Sequence, residues 1–358
     1  MRPYLHPGLT RLWRNPGSVQ LGLSPGRAVV LEGLDADTKR LLDHLDGTRP
    51  LSRLRALTES AGALLDQLAA RGLLADADAD ADADAGLASL PPLDRERLAP
   101  DLASLALHHA VPGEAHRTLA RRRRQVVQVF GVGRVGAQVA GLLAAAGVGR
   151  VEPHDRGVAR PVDLAPGGLR ADTLGHPREA GVERLVRAVR QGRSPRSRPR
   201  APAADDEPPP SFAVLAPAGL PLADHTFTRA LERSGVPHLL TGVQETTGLV
   251  GPLVLPGVTS CLMCRELARA DRDPSWPALA GQLAVQQVDG SLLACDVTLA
   301  AAVATTAARQ VLAVLDGGDP PAAAGGSLEL EATDWRWRRR SWPTHPACDC
   351  RTAVGRRG

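Results

Sequence analysis

The sequence predicts an α/β chain: a Rossmann-like, doubly wound sheet preceded by a small winged-helix-like α+β domain. Two observations predict it. The run QVVQVFGVGRVG (125–136) places an apolar strand before a G-x-G-x-x-G turn and an alanine-rich segment. Upstream, residues 18–72 alternate at period two and then turn to helical spacing. A length of 358 residues gives room for two domains and a sizeable core.

In chain order, SVQLGL (18–23) and RAVVLEGL (27–34) read as two strands joined by the turn SPG. Three short helices follow. The first is capped by Asp35 or Asp37 and carries Leu41, Leu42 and Leu45. The second starts after Pro50 with Leu51, Leu54 and Leu57, and the third carries Leu64, Leu65 and Leu68 before Gly72. A hairpin packed on three helices makes a winged-helix-like domain over residues 1–74. The repeat ADADADADADAG (75–86) has no apolar face, so a flexible acidic linker is expected over 75–97, with the second domain at 98–358. The stretch 190–210, rich in proline and charge, reads as a disordered loop within that domain.

Composition narrows the function classes. No apolar stretch reaches the roughly 18 residues of a membrane span, and MRPYLHPGLTRLW lacks the features of a secretory signal, so a cytoplasmic protein without membrane partners is expected. The net charge of +4 is carried almost wholly by arginine, Lys39 being the only lysine. Arginine, alanine, glycine and proline are abundant together, a bias of GC-rich coding, so the charge is weak ground for nucleic acid. The third helix, ESAGALLDQLAARG, holds one arginine and two acids, unlike a major-groove reader. Five cysteines in a long chain without a signal point to metal binding or catalysis, not disulfides.

At the glycine turn, Gly131 permits a tight bend, Gly133 lets backbone approach phosphates, and Gly136 allows helix and strand to pack closely. The following helix, 134–146, aims its first amides at the anion. RVEPHD (150–155) is a poor strand, yet it delivers Asp155 about 20 residues beyond the glycines, where an acid suits a ribose hydroxyl. Taken alone, this fingerprint fits an NAD-dependent dehydrogenase as well as an ATP-binding enzyme.

The wider motif order distinguishes them. GVGRVGAQVAGLLAAAGVGRVEPHDRGVARPVDL, then LGHPRE and GLVGPLVLPGVTSCLMC, resembles the ThiF/MoeB/HesA family, bacterial relatives of ubiquitin-activating enzymes, over roughly residues 118–350. The resemblance implies ATP with Mg2+, adenylation of the C-terminal carboxylate of a small protein or precursor peptide, and a homodimer. Adenylation needs donors on the phosphates and a metal to offset developing charge. The LDGTRPLSRL turn and the hairpin-plus-helices order resemble PqqD-like recognition elements, implying strand addition of a leader peptide to a sheet edge. A rival reading is a catalytically silent leader-binding partner of a separate modifying enzyme.

Carrying the family pattern over exposes departures. Gly131, Gly133, Gly136 and Asp155 match, but Gly157 stands where a second acid is usual. Asp163-Leu164-Ala165-Pro166-Gly167 stands where Asn-Leu-x-Arg-Gln is usual, so a phosphate-reaching arginine is missing; Arg160 and Arg170 are candidate substitutes. Arg178 replaces a lysine, keeping charge but not compact geometry. FAVLAPAG (212–219) ends in Ala218 where an aspartate helps place Mg2+, with Asp224 the nearest acid. No catalytic residue is assigned.

Cys261 and Cys264 in CLMC, with Cys348 and Cys350 in CDC, supply four thiolates for tetrahedral zinc, or stand as unligated structural cysteines. The family resemblance implies a structural zinc tying the C-terminal tail to the core. Because the second pair is C-x-C, His345 is an alternative ligand. Cys295, at the start of a long alanine-rich helix, is either a nucleophile activated by the helix N-terminus or a small core residue. Trp276 contacts substrate or covers the core.

Overall fold

The computed structural model describes residues 1–109, 111–190, 210–286 and 294–350. All but the two end residues of the expected loop at 190–210 lie outside them. The chain forms two compact units, Met1–Arg121 and Arg122–Gly358.

In the first unit the strands are β1 (Pro3–Leu5), β2 (Arg11–Asn15), β3 (Ser18–Leu21), β4 (Val29–Leu31) and β5 (Leu74–Asp76). The helices are α1 (Ala36–Asp43), α2 (Leu51–Arg55), α3 (Ala61–Ala70), α4 (Ala77–Ala83) and α5 (Pro92–His108), and α6 (Glu114–Arg124) runs on into the second unit. β2, β3 and β4 form an antiparallel meander, so the expected hairpin gains a strand; β1 pairs antiparallel with β5. Val19 and Leu21 of β3 pack with Leu41, Leu42, Leu54, Leu65 and Leu68, the apolar stripes that mark the three helices. Asp35 caps α1 by accepting from the Thr38 amide at 2.7 Å.

The alanine–aspartate repeat departs from the expected flexible linker, and the domain boundary moves with it. Residues 74–76 are strand, 77–83 and 92–108 are helix, and all belong to the first unit. Alanine is the strongest helix former and acids suit a first helical turn. The aspartates also find donors distant in sequence. Asp76 accepts from the Arg2 amide at 2.8 Å, and Asp78 pairs with the Met1 ammonium at 3.0 Å and Arg2 Nε at 2.6 Å. Asp80 accepts from the Tyr4 hydroxyl and from the Gly113 amide at 3.1 Å.

The second unit contains β6 (Val126–Phe130), α7 (Gly136–Ala145), β7 (Arg150–His154), α8 (Arg178–Val189), β8 (Phe212–Leu215), α9 (His225–Arg233) and β9 (His238–Gln244). It continues with β10 (Thr247–Val254), α10 (Leu262–Arg272), α11 (Trp276–Gln286), α12 (Val297–Asp316), β11 (Gly326–Glu331) and β12 (Trp337–Ser341). Its seven-stranded sheet runs β12-β11-β10-β9-β8-β6-β7. β7, β6, β8 and β9 are parallel; β9 through β12 are antiparallel neighbours. Both faces are apolar, as the period of two requires when helices cover each side. Val127, Val129, Val214 and Leu239 face the core shared with α7, α8 and α12, while Ala213, Leu215 and Leu240 face α9 and α10. β6 lies between β7 and β8, so the chain reverses direction across the sheet beside the glycine turn, where doubly wound folds open a crevice.

One further expectation changes. α12 is long and apolar enough, by length and composition, to cross a membrane. Leu299, Val303, Ala307 and Val311 along it are buried in the sheet core, so it is a core helix in this fold. The arginine run 121–124 ends α6, and Arg122, nearly buried, grips Asp316 at the end of α12 with Nε and a terminal nitrogen at 2.6 and 2.7 Å.

Candidate functional site

The glycine turn is built from close backbone contacts that leave no room for side chains. Gly131 sits at φ +86°, and a Cβ there would lie 2.3 Å from the Ala216 carbonyl oxygen. A Cβ on Gly136 would lie 2.0 Å from the Gly131 carbonyl oxygen, and one on Gly133 would lie 3.0 Å from Ala218 Cβ. The turn is pinned to both neighbouring strands: the Gly131 amide donates to the His154 carbonyl, and the Ala216 amide to the Phe130 carbonyl, each at 2.8 Å. α7 then starts at Gly136 with no side-chain cap; the Ala137 amide already donates to the Gly133 carbonyl at 3.1 Å, so the amides ahead of it, at 133–136, are the ones left for an anion.

Asp155 arrives at this turn, as its spacing predicts. Its Oδ2 accepts from the Val132 amide at 2.8 Å and its Oδ1 from the Gly157 amide at 2.6 Å. It therefore sets the shape of the turn from the end of β7. Arg178, at the first position of α8, joins it: a terminal nitrogen lies 3.4 Å from Asp155 Oδ1, and Nε donates to Asp163 Oδ2 at 2.9 Å. Asp163 is 5% exposed, and its Oδ2 also accepts from the Arg160 amide at 2.9 Å. Its other oxygen faces the turn, 3.7 Å from where a Gly133 Cβ would stand. Gly157 makes room for this network, since a Cβ there would lie 2.5 Å from an Arg178 nitrogen.

Of the other sequence candidates, Asp224 is occupied elsewhere, accepting from the Thr226 and Phe227 amides as the cap of α9. Arg160 and Arg170 are exposed, the latter 3.7 Å from Asp172. Two groups that the sequence reading did not select belong to the site. Asp163 is one. Arg134, inside the glycine turn, is the other: a terminal nitrogen donates to the Cys295 carbonyl at 2.6 Å, and its buried Nε has no partner among the described residues. Its signal was a cation between the second and third glycines.

The Cys295 side chain is half-buried, and burial pushes its thiol pKa up against the opposing pull of Arg134. That suits a core thiol better than an activated nucleophile. Trp276 donates from its ring nitrogen to Glu266 at 2.6 Å and lies under Arg269, covering α10.

The four remaining cysteines meet on the opposite face of the sheet. Cys261–Cys264, Cys261–Cys348 and Cys264–Cys350 sulfurs lie 3.8, 3.6 and 3.7 Å apart, and all four lie within 4.8 Å of one another. Disulfides bond at about 2.05 Å, whereas tetrahedral thiolates about 2.3 Å from zinc stand about 3.8 Å apart. The donor set therefore fits zinc, with no open position. His345 is outside it: its backbone amide lies 3.4 Å from Cys264 Sγ and its Nε2 2.8 Å from Asp271.

The ThiF family model matches residues 108–352. No curated protein matches the sequence. Among solved structures, Escherichia coli MccB with ATP is similar, at a TM-score of 0.66, 14% identity, and coverage of 98% of this chain and 100% of that one. The microcin C7 biosynthetic enzyme MccB with N-formylated MccA gives the same values. PaaA follows at 0.63 and 19%, covering 94% and 98%. At these identities the likenesses establish the fold alone. With the family model spanning well over half its length, the chain belongs to the ThiF family.

Proposed function

We propose that this protein activates the C-terminal carboxylate of a small protein or precursor peptide by adenylation with ATP. A carboxylate oxygen attacks the α-phosphorus, the bond to the β-phosphate oxygen breaks, and pyrophosphate leaves with its electron pair. The observation that carries the reading is the cradle formed by Gly131, Gly133 and Gly136 at the uncapped start of α7, in a ThiF-family chain. Backbone amides there supply donors for the phosphates, and Arg134 brings a guanidinium to the same turn. To Asp155, which an Arg178 terminal nitrogen approaches to 3.4 Å, we assign the ribose hydroxyls. Mg2+, when bound, offsets charge on the phosphates. Asp163 would hold it through Oδ1, which takes no hydrogen bond among the described residues, its Oδ2 being occupied by the Arg160 amide and Arg178 Nε. The peptide reading draws on MccB, whose structures include MccA.

Around that reaction we place a structural zinc on Cys261, Cys264, Cys348 and Cys350, homodimerisation, and action in the cytoplasm, where thiols stay reduced. The first unit is read as the peptide-recognition element. β2 is an edge strand exposed beyond its first residue, with Trp13 47% exposed on it, a place for strand addition. A separate modifying enzyme then uses the activated peptide.

Exchange of labelled pyrophosphate into ATP tests the activity. A candidate peptide with a free C-terminus should support exchange, and its C-terminal amide should not. Exchange that is absent with nucleotide bound would leave the silent-partner reading in place of this one.

A further inference from the structure

The first unit holds a cavity that adenylation does not use. Its volume is about 290 Å³, roughly twice the 150 Å³ that accommodates benzene in an engineered core. One wall is α5, where Ala99, Ala103 and Ala106 recur at spacings of four and three and so share a helix face with Leu102. Larger side chains at those positions would fill the space. Leu74 and Ala75 of β5 line it as well.

One end is polar. Asp80 there is already engaged by the Tyr4 hydroxyl, by the Gly113 amide at 3.1 Å and by His116 Nδ1 at 3.2 Å. His6 differs. Its backbone is paired, amide to the Leu73 carbonyl and carbonyl to the Leu9 amide, and the residue is 7% exposed. Its Nδ1 is buried and has no partner among the described residues. Burial lowers the pKa of the ring, so it is neutral near pH 7. A buried ring nitrogen without a partner is destabilising until something supplies its hydrogen bond.

We propose that this cavity binds a small, neutral, largely apolar molecule of about bicyclic size bearing one hydroxyl, which hydrogen-bonds the imidazole of the cavity-lining His6. The apolar walls disfavour a charged guest. A hydroxyl serves either tautomer of the imidazole, since it both donates and accepts. The alanine face of α5 supplies the space and His6 supplies the orientation.

The test uses the full chain with 2-naphthol and naphthalene as probes, at pH 7, followed by fluorescence titration. Saturable 1:1 binding of 2-naphthol is expected, with naphthalene about tenfold weaker for want of one hydrogen bond. His6→Leu should bring the two probes to equal affinity. Ala103→Leu with Ala106→Leu should abolish binding of both, with thermal melts confirming folding; Ala103→Val, a smaller change, should weaken both if the pair fails to fold. Failure of 2-naphthol to saturate the wild-type protein, equal wild-type affinities for the two probes, or discrimination that survives His6→Leu would overturn the proposal.

Discussion

The steric argument for the glycine turn separates two substitutions that differ by three residues. In Gly136→Ala the new methyl would stand 2.0 Å from the Gly131 carbonyl oxygen, an atom fixed by the turn itself. No side chain can move to relieve that contact, so the turn or the start of α7 must shift. The loss should exceed about 4 kcal/mol, a large share of a typical total of about 5–15 kcal/mol. In Gly133→Ala the methyl meets Ala218 Cβ at 3.0 Å and Ala218 Cα at 3.2 Å, contacts eased by a few tenths of an ångström. Overpacking of that size costs about 1 kcal/mol, and the variant should fold.

Its effect on nucleotide is expected to be larger. A phosphate oxygen hydrogen-bonded to this turn approaches to about 2.9 Å of an amide nitrogen, and a methyl on Gly133 holds it off. Losing one or two hydrogen bonds to a charged acceptor, each about 1.5–3 kcal/mol, weakens ATP by at least about tenfold. Calorimetric titration with ATP, read beside thermal melts, checks both halves. A folded Gly133→Ala protein with wild-type ATP affinity refutes the cradle, and a Gly136→Ala protein that melts like wild type refutes the steric reasoning.

Chelation should lower the melting temperature and release one zinc per chain, and Cys348→Ser should lose the metal; a melt indifferent to both would remove the staple. His238 is fully buried, its Nδ1 on the Val236 carbonyl, and burial takes its pKa down to about 4 from 6.5. The unfolded chain therefore binds the extra proton between those values, so stability is intact above pH 6.5 and falls by about 3 kcal/mol as pH drops through 4. Urea titrations of wild type and His238→Leu should show that slope flattened in the variant; parallel slopes would exclude this histidine as the cause.

Much of the second unit was legible because its signals are local. Valines at period two mark β6, glycines at fixed offsets mark the turn, and cysteine pairs mark the cluster. What was not legible depends on partners far along the chain. The alanine–aspartate repeat reads as solvated until Met1, Arg2 and Tyr4 are placed beside it. Asp224 reads as a candidate site acid until the Thr226 and Phe227 amides take it as a cap. Spacing offers Asp155 as an acid for a ribose hydroxyl, yet only coordinates show both its oxygens turned onto backbone amides of the turn and its neighbour.

The departures from the family pattern at 157, 163 and 178 make sense as one change. An arginine at 178 is bulkier than the usual lysine, and its terminal nitrogen occupies the space a side chain at 157 would need. Glycine at 157 frees that space, and Asp163 supplies a carboxylate to Arg178 Nε at 2.9 Å. Gly157→Asp alone should then displace the guanidinium and leave Asp155 and Asp163 poorly paired in a nearly buried site, a loss of about 3 kcal/mol or more. Combined with Arg178→Lys and Asp163→Asn, the same substitution should recover about 1–3 kcal/mol relative to the sum of the separate changes. Denaturant unfolding of the full set of single and combined variants measures that coupling. Strict additivity would mean that the three positions drifted independently and that the network around Asp155 is incidental to the turn.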